Sequence, residues 1–214
     1  MSSEIRQSVI NNAARLACFA ACVAIILTLV YAISESRIAE QALNAERQAL
    51  TIIFPANLHD NDLINDPIPL ELDSNAFDNL ELLGLRESST AYIARSNSLP
   101  SGIILPLVAR DGYNGDIHLL LGIRADGSVT AVRVISHRET PGLGDLIDLR
   151  FSDWILSFNG RSLQNPAPAG WTVVKNGGDF DQFTGATITP RAVTIAIARA
   201  LEFFEQNKTV ILNL

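Results

Sequence analysis

Asp181-Gln182-Phe183-Thr184-Gly185-Ala186-Thr187-Ile188-Thr189-Pro190 is a short stretch of polar and small residues set directly before a run with helical apolar spacing. In that run, residues 192–206, Val193, Ile195, Ile197, Leu201 and Phe204 form a broad stripe, which predicts a core helix. Pro190 suits the first helical position, because its missing N–H would have no partner there. Thr189 then falls at the N-cap, where its hydroxyl can accept an orphan backbone N–H. Thr187 sits just upstream, where backbone donors and the positive end of the helix dipole gather, and such a place suits a phosphate. Gly185 and Ala186 carry almost no side chain, so a large ligand or a second enzyme could come close to the Thr187 hydroxyl. Taken alone, the pattern is also that of a Gly-containing loop entering a capped helix.

Upstream, residues 91–94 and 103–110 read as strands, with Pro106 placing the second at a sheet edge. Asp111-Gly112-Tyr113-Asn114-Gly115 is a turn cluster, residues 117–123 a strand, 125–127 a turn, and 129–135 a further strand. Strands separated by tight turns predict an antiparallel meander. His118 falls within a strand and reads as a partly exposed face residue. Residues 146–158 suit a short helix, and residues 171–174 a strand leading into Lys175-Asn176-Gly177-Gly178-Asp179.

Between meander and helix lies His137-Arg138-Glu139-Thr140-Pro141-Gly142-Leu143-Gly144. Pro141 fixes a turn, and Gly142 and Gly144 permit backbone angles closed to other residues, so the loop can lay its N–H groups against a flat ligand or a phosphate. Acid–base catalysis by His137 and Glu139 is the sharper alternative, but nothing nearby completes a triad or a metal set.

The two motifs, Asp181…Thr184-Gly185-Ala186-Thr187-Ile188-Thr189 and His137 to Gly144, resemble in order and content those of the FMN-binding domain family. The resemblance covers the second half of the chain, and within the family it points to the flavoprotein subunits of Rnf-type electron transport complexes. The corresponding subunit of the sodium-pumping NADH:quinone reductase is a cousin. It implies a covalent FMN whose phosphate is esterified to Thr187, with Asp181, Thr184, Gly185, Ala186 and Thr189 completing the attachment signature. It also implies that Glu139 and Thr140 are polar contacts, that Gly142 and Gly144 shape the loop, and that Leu143 lies against the flavin ring. Lys175 would set a charge near the phosphate or ring, or else belongs to a surface turn. A flavin transferase that recognises Asp181 and moves FMN from FAD onto the threonine is the implied maturation partner.

Composition agrees with that class. Among 214 residues the formal net charge is −7, which argues against a nucleic-acid binder. Both cysteines, Cys18 and Cys22, lie in one apolar run, so no disulfide framework or Cys-based metal site is expected elsewhere. That run, residues 16–33 (LACFAACVAIILTLVYAI), has no charge and the length of a bilayer span. Ala32-Ile33-Ser34 is a weak cleavage site for the competing signal-peptide reading. Arg6 and Arg15 precede the run and Arg37 follows amid Glu35 and Glu40, a slight bias for the N-terminus inside the cytoplasm.

The expected organisation is therefore α+β. Residues 1–15 are cytoplasmic, 16–34 a single transmembrane helix, 35–90 a stalk helix and an acidic linker or subdomain, and 91–214 an FMN-binding domain with an antiparallel sheet packed by helices. Residues 34–51 read either as a stalk continuing the membrane helix or as an amphipathic helix packed on the domain. Residues 54–81, interrupted by Pro55, Pro67 and Pro69 and rich in Asp and Glu, read as a solvated acidic segment; a cation site is conceivable, but the spacing fits no calcium loop. Residues 80–85 read as a short helix or turn.

The functional expectation is a flavoprotein subunit in a bacterial inner membrane. It would relay electrons through FMN among the other subunits of an ion-translocating complex, its flavin domain on the periplasmic side, and would not be a stand-alone enzyme. A regulator or reductase module on the same domain would need further spans or oxidoreductase domains. The alternative from another class is a membrane-anchored scaffold or binding subunit with the same fold and no redox role.

Overall fold

The computed structural model describes residues 3–214; within the first helix, the side chains of residues 3–8, 26, 29–30 and 32–46 lie outside the described residues. The chain forms two compact units, Met1–Glu46 and Arg47–Leu214. The described residues of the first unit are helix, part of α1 (Ser3–Ile53). Its described apolar side chains are open: Leu16 is 71 % exposed, Phe19 68 %, Leu27 64 % and Tyr31 68 %. Among the described residues no helix is long and apolar enough to cross a membrane, and residues 26, 29–30 and 32–34 of the expected span lie outside them.

The second unit is built on a five-stranded antiparallel sheet in the order β1-β2-β3-β4-β5. The strands are β1 (Pro67–Leu70), β2 (Ser89–Ser96), β3 (Leu99–Gly112), β4 (Gly115–Arg124) and β5 (Val129–Ser136). Side chains alternate between the two faces with period two. Ile103 and Leu105 of β3 and Leu119 and Leu121 of β4 face the large core, which α2 (Ile188–Ile211) closes with Val193, Ile197, Leu201 and Phe204. Ile104 and Leu120 face the other way, into a smaller core made with Leu50, Ile53, Phe54 and Leu63. Residues 47–53, the last of α1, are thus packed on the sheet.

Two strand glycines explain how closely they pack. A Cβ on Gly122 would stand 2.1 Å from Thr130 Oγ1 and 2.8 Å from Ile53 Cγ2, and one on Gly102 would stand 2.6 Å from the Phe54 ring. Thr130 Oγ1 donates to Ile53 O at 2.7 Å and seals this contact. Leu50, Ile53 and Phe54 are fully buried, which stabilises the packing by about 1.5–3 kcal/mol per side chain.

Three local expectations need correction. Pro106 does not make β3 an edge strand: β3 pairs with both β2 and β4, and Pro106 lies two residues beyond Ile104, the last β3 residue that pairs with β2. It therefore occupies a stretch with a neighbour on one side only. Residues 171–174 form no strand; a single bridge joins Val173 to Phe180, and a 3₁₀ turn, Val174–Asn176, follows. The glycine-rich sequence there closes a local loop before a ladder can extend. Residues 146–158 hold no continuous helix but the end of one 3₁₀ segment, Gly144–Ile147, and the whole of a second, Asp153–Phe158. The acidic segment contributes β1 and two more 3₁₀ turns, Leu63–Asn65 and Leu80–Leu83. Two of its carboxylates are ion-paired to residues outside the segment: Asp66 with Arg95 at 2.5 Å and Asp62 with Arg47 at 3.4 Å. Among the described residues no group of three or more His, Cys, Asp or Glu side chains could hold a metal ion.

Candidate functional site

The loop from Asp181 to Thr187 rests on a bed of aromatic rings. Phe158 stacks on Phe180 at 4.5 Å between centroids, and Trp154 meets Phe183 edge-on at 5.3 Å. Trp154 Nε1 donates to Asp181 O at 2.8 Å, which ties the start of the loop to this bed. The chain then reverses over Phe183–Ala186, closed by Ala186 N–H to Phe183 O at 3.1 Å, with Gly185 at φ +82°. A side chain there would be strained, so glycine is what the turn requires.

The helix that follows starts earlier than its sequence suggests. Thr187 is the N-cap of α2, and Thr189 and Pro190 lie inside its first turn. The first helical bond runs from Arg191 N to Thr187 O at 3.3 Å. The N–H groups of Ile188 and Thr189 consequently have no partner within the helix, and Pro190 has none to satisfy. Proline is tolerated here for the reason that favours it at the first position: no first-turn N–H has an intrahelical acceptor. Thr187 makes no side-chain cap bond. Thr189 is not the cap either; its hydroxyl donates to Glu139 Oε2 at 2.5 Å.

Glu139 is the hub of the second motif. It is 5 % exposed, and Thr189 is 1 % exposed. The other carboxylate oxygen, Oε1, accepts from Asn114 N at 3.0 Å, and Asn114 Nδ2 donates to Thr140 Oγ1 at 3.1 Å. One carboxylate thus joins the β3–β4 turn, its own loop and the start of α2. The loop is pinned by Leu143 N and Gly144 N donating to Thr140 O, each at 3.1 Å. Gly144 is needed for this closeness: a Cβ would stand 2.7 Å from Glu139 Oε2 and 3.0 Å from Thr189 Oγ1. Glu139, expected as a ligand contact, therefore has both oxygens engaged within the protein while also bordering the cavity.

The two motifs meet around a cavity of about 450 Å³. Glu139, Thr140, Leu143 and Gly144 line one side, and Gly185, Ala186, Thr187 and Thr189 the other, with exposed Lys175 at the border. Three sequence candidates lie outside the lining: Gly142, at φ +75° in the exposed turn, Thr184, exposed on the reverse turn, and Asp181, whose side chain is exposed. Tyr113 and Ile188 line the cavity without having been singled out. Tyr113 was hidden in a turn cluster; an aromatic residue among the Asp, Asn and Gly of a hairpin turn is the signal that marks it, and the structure leaves it 67 % exposed. His137 is turned away, its Nδ1 accepting from Glu139 N at 3.1 Å.

The cavity suits a flavin mononucleotide by size, being within the usual range for cofactor pockets. It suits it by chemistry as well. The first-turn N–H groups of α2 can receive a phosphate. Exposed Tyr113, Leu143 and Ile188 offer apolar surface for a ring.

These features define a flavin-nucleotide domain on an α+β frame. A family model described as FMN-binding domain matches residues 112–202, and one described as RnfG N-terminal region matches residues 1–53. The solved structure of Shewanella oneidensis NqrC is similar in fold, with a TM-score of 0.54 at 19 % identity, covering 80 % of this chain and 98 % of that one. The G subunit of the ion-translocating oxidoreductase complex of Pseudomonas aeruginosa is 43 % identical over 97 % of this chain and 94 % of its own. The G subunits of the Shewanella loihica complex (42 %, covering 98 % and 95 %) and the Vibrio cholerae complex (40 %, covering 95 % and 93 %) are similar over comparable lengths. The chain belongs to this family, the G subunits of ion-translocating oxidoreductase complexes, and carries an FMN-binding domain.

Proposed function

We propose that this chain is a membrane-anchored electron-relay subunit, working among the other subunits of an Rnf-type ion-translocating complex, with FMN joined by a phosphoester to Thr187. The observation that carries the reading is Thr187 itself: a hydroxyl at the N-cap of a long helix, on the cavity wall, with no capping bond. The free N–H groups and dipole of α2 stabilise negative charge beside it. Gly185 and Ala186 leave the approach open to a flavin transferase. In that step the Thr187 Oγ–phosphorus bond forms as the pyrophosphate bond of FAD breaks, AMP leaves, and the hydroxyl proton is released.

When bound, FMN supplies the capacity to accept and release electrons singly or in pairs. The protein's part is to hold and shield it. Leu143, Ile188 and Tyr113 cover a ring, Glu139 and Thr189 fix the relation between the loop and the helix that carries the attachment point, and Lys175 adds positive charge at the border. A covalent link removes dissociation and keeps the cofactor at high effective concentration near its partners. The uncharged run at residues 16–33 supports a bilayer helix, and its described apolar side chains are exposed as a lipid-facing surface requires. The Arg6 and Arg15 bias supports an N-terminus in the cytoplasm of a bacterial inner membrane, with the flavin domain on the periplasmic side.

The test is Thr187→Ala produced alongside the wild-type chain with a transferase present. The wild type should gain an FMN-sized mass on the peptide holding Thr187 and fluoresce in a denaturing gel; the variant should fold and do neither. A fluorescent variant would refute the attachment point. A folded wild type without flavin absorbance, made under the same conditions, would favour a scaffold subunit.

A further inference from the structure

A second recess, of about 610 Å³, lies across the loop pair from the cofactor cavity. The two share a wall: Ser136, His137 and Arg138 line the recess, and the next two residues, Glu139 and Thr140, line the cavity. Asn114 borders the recess while its N–H and amide bind Glu139 and Thr140.

The lining is rich in donors. Arg138 is exposed and has no hydrogen-bond or ion-pair partner among the described residues. His137 accepts from Glu139 N through Nδ1, so its ring proton sits on Nε2, which is then a donor. His118 stands exposed on β4. Asp116 is the one carboxylate of the lining, and Arg86 occupies both of its oxygens, through Nε on Oδ2 and through Nη2 on Oδ1 at 2.8 Å. The Arg86 hydrogen bonds hold the Asp116 carboxyl below its ordinary range, so it stays anionic and committed to that pair. Gly115 opens the mouth: a Cβ there would meet nothing within 4 Å. In a chain of net charge −7, a donor-lined recess whose only carboxylate is already paired is a local reversal of sign.

We propose that this recess binds an oxyanion, a carboxylate or phosphate group, with Arg138 and the His118 and His137 rings as its donors. Guanidinium pairs with such groups through planar, charge-assisted hydrogen bonds. The anion has two sources, free phosphate or an acidic side chain of a neighbouring subunit. The proposal does not depend on attachment at Thr187.

Two arms separate the sources. Inorganic phosphate is titrated into the full chain in detergent, following the backbone amides of Gly115 and Arg138 and the His118 ring by NMR. If free phosphate is the ligand, these signals shift together, and Arg138→Gln weakens binding by at least about tenfold, the effect of losing one hydrogen bond to a charged group; His118→Gln weakens it as well. In the second arm, retention of this subunit in the detergent-solubilised complex is compared for wild type and Arg138→Glu across a salt series. Salt-sensitive loss of the variant, without phosphate binding to the isolated chain, assigns the occupant as a partner carboxylate. Phosphate binding that both substitutions leave unchanged, or no phosphate binding together with normal retention of Arg138→Glu, overturns the proposal.

Discussion

Replacing Thr189 with valine removes one hydroxyl and leaves the shape nearly intact. In the folded protein that hydroxyl donates at 2.5 Å to Glu139, and the two residues are 1 % and 5 % exposed. On the Gly144 side the packing is close, since a Cβ there would lie within 3.0 Å of both partners, while the other side borders the cavity. A hydrogen bond to a charged group contributes about 1.5–3 kcal/mol, and a buried acceptor left short of a donor keeps its desolvation cost. Taking about 2 kcal/mol, a domain of 150–250 residues loses about 4–8 °C of Tm. Thr189→Ser retains the donor and should recover most of the loss. In Glu139→Gln the amide oxygen can still accept from Asn114 N, and the hydroxyl can rotate to accept from the amide nitrogen, so the loss should be smaller. The double variant, Glu139→Gln with Thr189→Val, should cost less than the sum of the singles, with a coupling of about 1 kcal/mol or more for residues in direct contact. The assay is thermal unfolding of the chain under one buffer and loading state. A Thr189→Val melt within 1 °C of wild type, a shift smaller than about 0.5 kcal/mol produces, would refute the strut between the loop and α2.

Gly122→Ala forces a Cβ to 2.1 Å from Thr130 Oγ1 and 2.8 Å from Ile53 Cγ2, so residues 47–53 must lift from the sheet. Overpacking of this kind costs about 1–3 kcal/mol, read as a lower denaturant midpoint; an unchanged midpoint would mean that this packing is not as close as described. Asp148, with a side chain 9 % exposed, is held below the ordinary carboxylate range by its hydrogen bonds to Arg150. Its stabilising contribution is present above the unfolded-state pKa, about 3.9, and is lost as pH falls through the lower folded value. Asp148→Asn should flatten the acid limb of the stability curve below about pH 4; an acid limb of undiminished slope would place the titration on other carboxylates.

What was legible in the sequence is what depends on neighbours along the chain. The turn clusters at Asp111-Gly112-Tyr113-Asn114-Gly115 and Ala125-Asp126-Gly127, set between the apolar runs at residues 117–123 and 129–135, gave the meander, since strand character and turn chemistry are local. The stripe through Val193, Ile197 and Leu201 gave the core helix. The two motifs gave the family and the candidate residues, because small residues, glycines and a threonine at fixed spacing are read without coordinates.

What only tertiary structure decided is where distant segments compete for the same atoms. The start of α2 moved from Pro190 to Ile188 because Glu139, fifty positions upstream, holds the Thr189 hydroxyl that would otherwise cap the helix. Tyr113 joined the cavity because the β3–β4 turn folds beside the loop, and Gly102 and Gly122 gained their reason only when residues 47–54 lay on the sheet. Local pattern sets which bonds a segment can make on its own; long-range packing chooses the partner for every group left over.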